Sequence, residues 1–414
     1  IMSFRILIVT TVSEFLWQFE QDKIRILQQM GAEIHYASNF DAPDFAIGEN
    51  YFKKNGIITH PLPICRSPWR LRENARALKM LAELIETCGI DVIHCHTPVG
   101  ALLGRLAGRL AKRRVKVIYT AHGFHFYQGA PVKNWLLYYQ AERFLARFTD
   151  TLVTINEEDT RAAGRFRMKK GGVVRQIPGV GLDLKRYGFR PHMRREARRR
   201  LGLGEGQLGL LTAARLDQDK NYQTVLDALA QLGDVDFLYF ICGEGPYRQV
   251  LEAQIKRLKL QGRVRFLGYR KDLEVLLQGI DIFLFPSVRE GLGMAPLEAM
   301  ACRRPVIGAD NRGTREYLRH GENGLLCAGE DSEEFARAIR LLAEDAGLRQ
   351  RLGERGAADV FRFSVHRTGE IMRQVYQEAR PLPVERREGL LLMREEKENG
   401  HEQVCENQCD YECV

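Results

Sequence analysis

The sequence predicts an α/β protein built from two parallel-sheet domains. Three observations predict it. Short apolar, β-branched runs alternate with helix-period stretches along most of the chain. Those runs are continuously apolar, as strands covered on both faces are. The alternation breaks once, in a Gly-, Pro- and Arg-rich stretch at 176–207, and then restarts. A chain of 414 residues is also too long for one core and suits two units of about 150–200 residues.

Taken in order, RILIVTTV (5–12) reads as the first strand. EIHYAS (33–38), DVIHCH (91–96), VKVIYTAHG (115–123) and TLVTIN (151–156) follow. His94 and His96 lie two apart in the second of these later runs, and one of them is expected to face the core. NWLLYYQAERFLARF (134–148) has helical period. QIPGVGLDLKRYGFRPHMRREARRRLGLGEGQ (176–207) is the candidate linker. Beyond it, LGLLTAAR (208–215), DFLYFICGEG (236–245), VRFLGYR (264–270), DIFLFPS (281–287) and PVIGAD (305–310) form the second strand series. The expected division is 1–178, 179–362, a helix at 363–380 crossing back to the first domain, and a tail at 381–414.

Composition bounds the function. Hydrophobic content of 45% and charged content of 28% fit a soluble globular protein. No apolar run is long enough to span a membrane. The amino end enters a strand-like segment without a signal-peptide shape, so a cytoplasmic protein with reduced thiols is expected. His401, Cys405, Cys409 and Cys413 recur every four residues in the tail, but on one helix they span about 18 Å and cannot share one ion. No metal is expected. The net charge of +9 is uneven: residues 101–200 carry 23 Lys+Arg against 7 Asp+Glu. ALLGRLAGRLAKRR (101–114) sets Leu102, Leu103, Leu106 and Leu110 against Arg105, Arg109, Lys112 and Arg113. That pattern fits either a core-packed helix with a solvated basic face or peripheral contact with an anionic membrane. No nucleic-acid recognition motif accompanies the basic region.

Chemistry gathers at strand ends. The first strand lacks G-x-G-x-x-G, and no G-x-x-x-x-G-K-[ST] occurs, which excludes a nicotinamide fingerprint and a P-loop. Two D-x-D triplets, Asp217–Asp219 and Asp234–Asp236, read as chance matches. In AARLDQDKN (213–221), Arg215 and Lys220 follow a strand and precede a helix, where open α/β sheets bind ligands. ICGEGP (241–246), FLGYR (266–270) and FPSVREGLGMAPLEAMA (285–301) end the next strands with glycine turns. Pro296 suits a first helical turn, which leaves the N–H groups of Gly293 to Ala295 as an anion site and puts Glu298 in that turn.

Together, Arg215…Lys220, GEGP, LGY and the E-x₇-E pair in EGLGMAPLE resemble the nucleotide-sugar half of retaining family-4 glycosyltransferases. DVIHCHTPVGALLGRLAGR, the TAHG segment and IPGVGLDLKRY resemble that family's bacterial members of capsular, exopolysaccharide or lipid-linked glycan type, over residues 4–380. The resemblance implies the GT-B fold, two Rossmann-like domains facing a central cleft. It implies a nucleotide-sugar donor, here a UDP-sugar, a glycan or polyprenyl-diphosphate-linked acceptor, retention of configuration, and no metal or other cofactor. It assigns the diphosphate to Arg215 and Lys220, the ribose to Glu298 and the donor sugar to Glu290 and His122. The turn of Gly291, Leu292, Gly293, Met294 and Ala295 would face phosphate and sugar. Gly243, Glu244, Gly268 and Tyr269 would lie near the base. Ser13, His96 and His125 are acceptor-side candidates. Where many family members carry a Gly-Gly loop, this chain reads Thr10-Thr11-Val12-Ser13-Glu14. Two alternatives remain on the same architecture: a nucleotide-sugar 2-epimerase or hydrolase, and a non-catalytic nucleotide-sugar-binding subunit.

Overall fold

The computed structural model describes residues 4–41 and 50–381. The cysteine-bearing tail therefore lies outside the described residues. The first sheet holds seven parallel strands: β1 (Arg5–Val9), β2 (Glu33–Ser38), β3 (Ile57–Pro61), β4 (Val92–Cys95), β5 (Lys116–Ala121), β6 (Thr151–Thr154) and β7 (Val173–Gln176). Their order is β3-β2-β1-β4-β5-β6-β7. The second holds six: β8 (Leu208–Ala213), β9 (Phe237–Cys242), β10 (Val264–Gly268), β11 (Ile282–Phe285), β12 (Val306–Ala309) and β13 (Leu325–Cys327), in the order β10-β9-β8-β11-β12-β13. The chain order reverses between β1 and β4 and between β8 and β11, which opens a crevice at the carboxyl ends of each sheet.

The apolar runs are strands because helices cover both sheet faces. Every residue of β4, β6, β11 and β12 is buried. β3, β7 and β13 were not legible. β3 and β7 are edge strands with exposed residues, and β13 has three residues, so none shows a continuous apolar run.

The Arg-rich stretch is only partly a connector. Its second half forms the helix Arg194–Leu201, and Arg194 and Arg198 both pair with Asp281, at 2.5 and 3.0 Å. The arginines serve packing there. The connector proper is the turn at Gly179 and Gly181, both at positive φ (87° and 104°). It runs beside a second crossing: Leu182 N donates to Phe363 O at 2.7 Å and Val365 N donates to Leu182 O at 3.0 Å. The last helix, Val365–Ala379, begins under the Ser364 cap and returns to the first sheet, where the Tyr376 hydroxyl lies 3.1 Å from His94 Nδ1.

Part of the basic excess at 101–200 is engaged within the protein. Arg105 is fully buried, paired with Glu142 at 2.7 Å and stacked on Tyr119, so it does not join the solvated face expected of 101–114. Lys116 and Lys169 share Asp150. The exposed apolar side chains cluster instead at Val132, Trp135, Leu136, Leu137 and Phe144, on the helical segment 132–148. Among the described residues no helix is long and apolar enough to cross a membrane.

Candidate active site

On the second sheet the loops stack because their glycines allow it. Gly243 (φ 145°) has no room for a side chain: a Cβ would lie 2.0 Å from Ala214 O. Gly243 N donates to Gly268 O at 2.8 Å, and Leu216 N donates to Glu244 O at 2.9 Å. The turns after β8, β9 and β10 are thereby fused into one wall carrying Arg215, Glu244 and Tyr269, the last exposed. Arg215 pairs with Asp217 at 2.7 Å, and the other D-x-D triplet lies at the amino end of β9, away from these loops.

After β11 the chain turns through Glu290 to Gly293. Lys220 Nζ lies 2.7 Å from Glu290 Oε1, both side chains mostly covered. Gly293 (φ 87°) caps the helix Met294–Ala301, and a Cβ there would meet the Phe285 ring at 2.8 Å. The helix starts at Met294 and not at Pro296, so the first turn contains Met294, Ala295 and Pro296. Glu298 falls in the second turn, a correction to the expectation from Pro296. Leu292 is buried. Glu298 is still reached by solvent, yet desolvation lifts its carboxyl to about 7 against the opposing effect of a Tyr187 hydrogen bond.

On the first sheet three histidines form a row. His94 and His96, two apart along one extended segment, fall on the same face: the two rings lie 4.1 Å apart, and both are buried. His96 Nδ1 lies 3.1 Å from His122 Nε2, and the Phe15 ring packs on both. Burial pushes His94 and His122 down to about 3 and His96 well below its ordinary value, so the row is neutral at physiological pH. His122 is then a neutral hydrogen-bonding group. Ser13 is buried after β1, its carbonyl accepting from the Tyr36 hydroxyl. His125 is half-buried against Tyr138, 4.7 Å between ring centres.

Beneath the row lie groups the sequence reading missed. Glu20 and Lys23 are both buried, 3.7 Å apart, and Lys23 Nζ donates to Phe19 O and Val180 O. Their only signal was a cation on the apolar face of the helix Gln21–Gln29, beside Ile24, Ile26 and Leu27. Glu20, His96 and His122 offer ligand atoms within 4.8 Å of one another, enough for a metal by spacing, but Glu20 already faces the buried Lys23 ammonium. His96 Nε2 is buried with no hydrogen-bond partner among the described residues.

The two halves meet at this point. A Cβ on Gly291 would sit 2.2 Å from His122 O. Asn156 caps the helix Glu157–Ala163 through its Oδ1 and donates from Nδ2 to Gly291 O at 2.9 Å. Arg312, following β12, pairs with buried Asp159 at 2.7 Å and donates to Phe124 O and Glu290 O. The geometry thus seats Gly291 directly on the His122 carbonyl, with Glu290 next to it in the chain and tied through its own carbonyl to Arg312. None of Asn156, Asp159 and Arg312 carries a sequence signal, because each acts across the domain boundary.

Comparison with known proteins agrees with this architecture. Residues 22–186 match the Glycosyltransferase Family 4 model, and residues 193–359 match Glycosyl transferases group 1. The chain is 39% identical over 380 residues to EpsD of Bacillus subtilis (strain 168), a protein named as a glycosyltransferase, covering 91% of this chain and 97% of EpsD. It is 26% identical over 287 residues to the UDP-Gal:alpha-D-GlcNAc-diphosphoundecaprenol alpha-1,3-galactosyltransferase of Escherichia coli, covering 68% of this chain and 73% of that one. Among solved structures, Anabaena Alr3699/HepE in complex with UDP-glucose superposes with a TM-score of 0.74 at 22% identity, covering 90% of this chain and 99% of that chain. Two parallel sheets, a crevice between their carboxyl ends and these likenesses together place the chain in the family-4 glycosyltransferases of GT-B fold.

Proposed function

We propose that this glycosyltransferase moves a sugar from a UDP-sugar to a glycan or polyprenyl-diphosphate-linked acceptor with retention of configuration, in cell-surface polysaccharide synthesis. The observation that supports the reading is the seating of Gly291 on the His122 carbonyl across the cleft, with the neighbouring Glu290 held by Lys220. In this reading Arg215 and Lys220 neutralise the diphosphate without a metal, and the unpaired N–H groups at Gly293 to Ala295 add a positive helix end. Glu298 accepts the ribose hydroxyls. Glu290 and His122 contact the donor sugar, and Gly243, Glu244, Gly268 and Tyr269 enclose the base. Ser13, His96 and His125 face the acceptor side. The bond from the anomeric carbon to the diphosphate breaks as the acceptor oxygen bonds to the same face. The acceptor proton passes to the leaving diphosphate, whose charge Arg215 and Lys220 stabilise. The E. coli relative's diphosphoundecaprenol acceptor supports a lipid-linked substrate. Incubation of the purified protein with UDP-, GDP- and ADP-sugars tests the reading. Consumption of a UDP-sugar with an α-linked product from an α-linked donor is expected. Inertness toward every UDP-sugar, with and without lipid-diphosphate acceptors, would refute it.

Glu298 gives a pH prediction. Only its ionised form accepts two hydroxyl protons, and its carboxyl titrates at about 7. Affinity for a UDP-sugar, whose diphosphate does not titrate near neutrality, is therefore expected to rise between about pH 6 and 8. Calorimetric titration of Glu298→Gln should give weaker affinity with a flat pH profile. A sloping profile in the variant would assign the effect to another group.

The proposed acceptor and the exposed apolar segment support a place at the cytoplasmic face of a membrane. Val132, Leu136, Leu137 and Phe144 project to solvent among Lys133, Arg143 and Arg147, the composition of an interfacial helix. In sedimentation with anionic vesicles, Leu136→Glu combined with Leu137→Glu is expected to weaken binding at least about tenfold. Equal sedimentation of the variant would remove this segment from the membrane contact.

A further inference from the structure

Outside the cleft, the first sheet gathers two histidines and a cysteine. His35 on β2 and His60 on the edge strand β3 lie on one sheet face, with Ala37 opposite His60 and Ile58 opposite His35. Their rings stack, and His35 Nδ1 lies 2.9 Å from His60 Nε2. Cys88 ends the helix Leu71–Thr87, and one ligand atom from each of the three lies within 4.8 Å of the others. Glu33 Oε1 lies 2.9 Å from the far nitrogen of His35, Nε2. Arg5 links the frame, pairing with Glu33 at 2.9 Å and donating to Cys88 O at 3.2 Å.

The hydrogen bonds fix the tautomers. Glu33 Oε1 faces His35 Nε2 at 2.9 Å, and an ionised carboxylate only accepts. His35 Nε2 therefore carries the proton, and Nδ1 aims a lone pair at His60. A carboxylate on the outer nitrogen of an imidazole is the arrangement that orients metal-binding histidines. Two imidazoles and a thiolate form a nitrogen–sulfur set suited to zinc. Tetrahedral zinc with bonds of about 2.0–2.1 Å sets its nitrogens about 3.3 Å apart. Opening the 2.9 Å pair by a few tenths of an ångström makes room.

We propose that His35, His60 and Cys88 bind one zinc-class divalent ion, with Glu33 orienting His35 and water in the fourth position. On binding, the Cys88 thiol proton leaves to solvent and the His60 proton moves from Nε2 to Nδ1. The ion ties the edge strand β3 to the end of the helix before β4, a structural role at a sheet edge.

The test uses the metal-free full-length protein, titrated with Zn²⁺ against a chromophoric chelator. Cys88→Ser and His60→Gln should each bind one ion fewer per chain than the unaltered protein. Glu33→Gln should keep the stoichiometry with about 10- to 100-fold weaker affinity. Cobalt loading should give a thiolate charge-transfer absorption that Cys88→Ser loses. Ions held by His401, Cys405, Cys409 and Cys413 are common to every protein in the series, so the difference reads this cluster alone. His60 is only half-buried, so His60→Gln carries the measurement if Cys88→Ser does not fold. Equal stoichiometry in the unaltered protein and His60→Gln would overturn the proposal.

Discussion

Lys220→Ala is expected to lower the transfer rate by about 10²- to 10³-fold, the loss typical of removing one preorganised group that stabilises developing charge. Two effects combine. The leaving diphosphate loses a cation, and Glu290, whose side chain is 14% exposed, loses its partner at 2.7 Å. The unpaired carboxylate then faces a dianionic donor at close range, so nucleotide affinity should fall as well. Steady-state kinetics with a UDP-sugar, together with UDP titration, separates the two. Retained kcat with raised KM would make Lys220 a binding residue without a role in bond breaking. Retention of both would remove it from the donor site.

Gly291→Ala is expected to lower kcat about 10²-fold while leaving UDP affinity nearly unchanged. The new methyl would sit 2.2 Å from His122 O, so the two halves must separate before the residue fits. A displacement of about 1 Å between reacting groups is enough for a loss of that size. Nucleotide affinity is expected to survive because the proposed donor-binding groups, Arg215, Glu298 and the wall at Gly243 and Gly268, belong to the second half alone. Gly233→Ala, where a Cβ meets nothing within 4 Å, is the matched control. Equal loss in both variants would point to general destabilisation, and wild-type kcat in Gly291→Ala would show that catalysis does not need the halves this close.

The sequence made the second half more legible than the first for a physical reason. Arg215, Gly243, Gly268 and Glu290 follow apolar strands within a few residues, so strand ends alone put them at one crevice. The glycines there answer to local backbone crowding, which sequence can signal. The first half depends on contacts between distant segments. Lys23 reaches Val180, Tyr376 reaches His94 and Arg312 reaches Asp159, and no local period encodes such meetings. The helix at 101–114 shows that composition does not give direction: Arg105 turns inward to Glu142, while exposed apolar side chains gather on the segment 132–148. The edge strands β3 and β7 were missed for want of the two-sided burial that marks the others, and β13 because it has only three residues.

The paired crossings at Leu182 and Ser364 have a mechanical meaning. A single tether acts as a swivel and leaves the bodies it joins free to twist. Two chain segments hydrogen-bonded side by side, with Lys23 fastening one to the first sheet at Val180 O, define a line. Rotation about that line needs only small torsional changes at Gly179 and Gly181, whereas twist across it breaks the Leu182 bonds to Phe363 and Val365. A cleft opening about that line would thus follow one angular coordinate, and reversing it would return Gly291 to the same place against the His122 carbonyl.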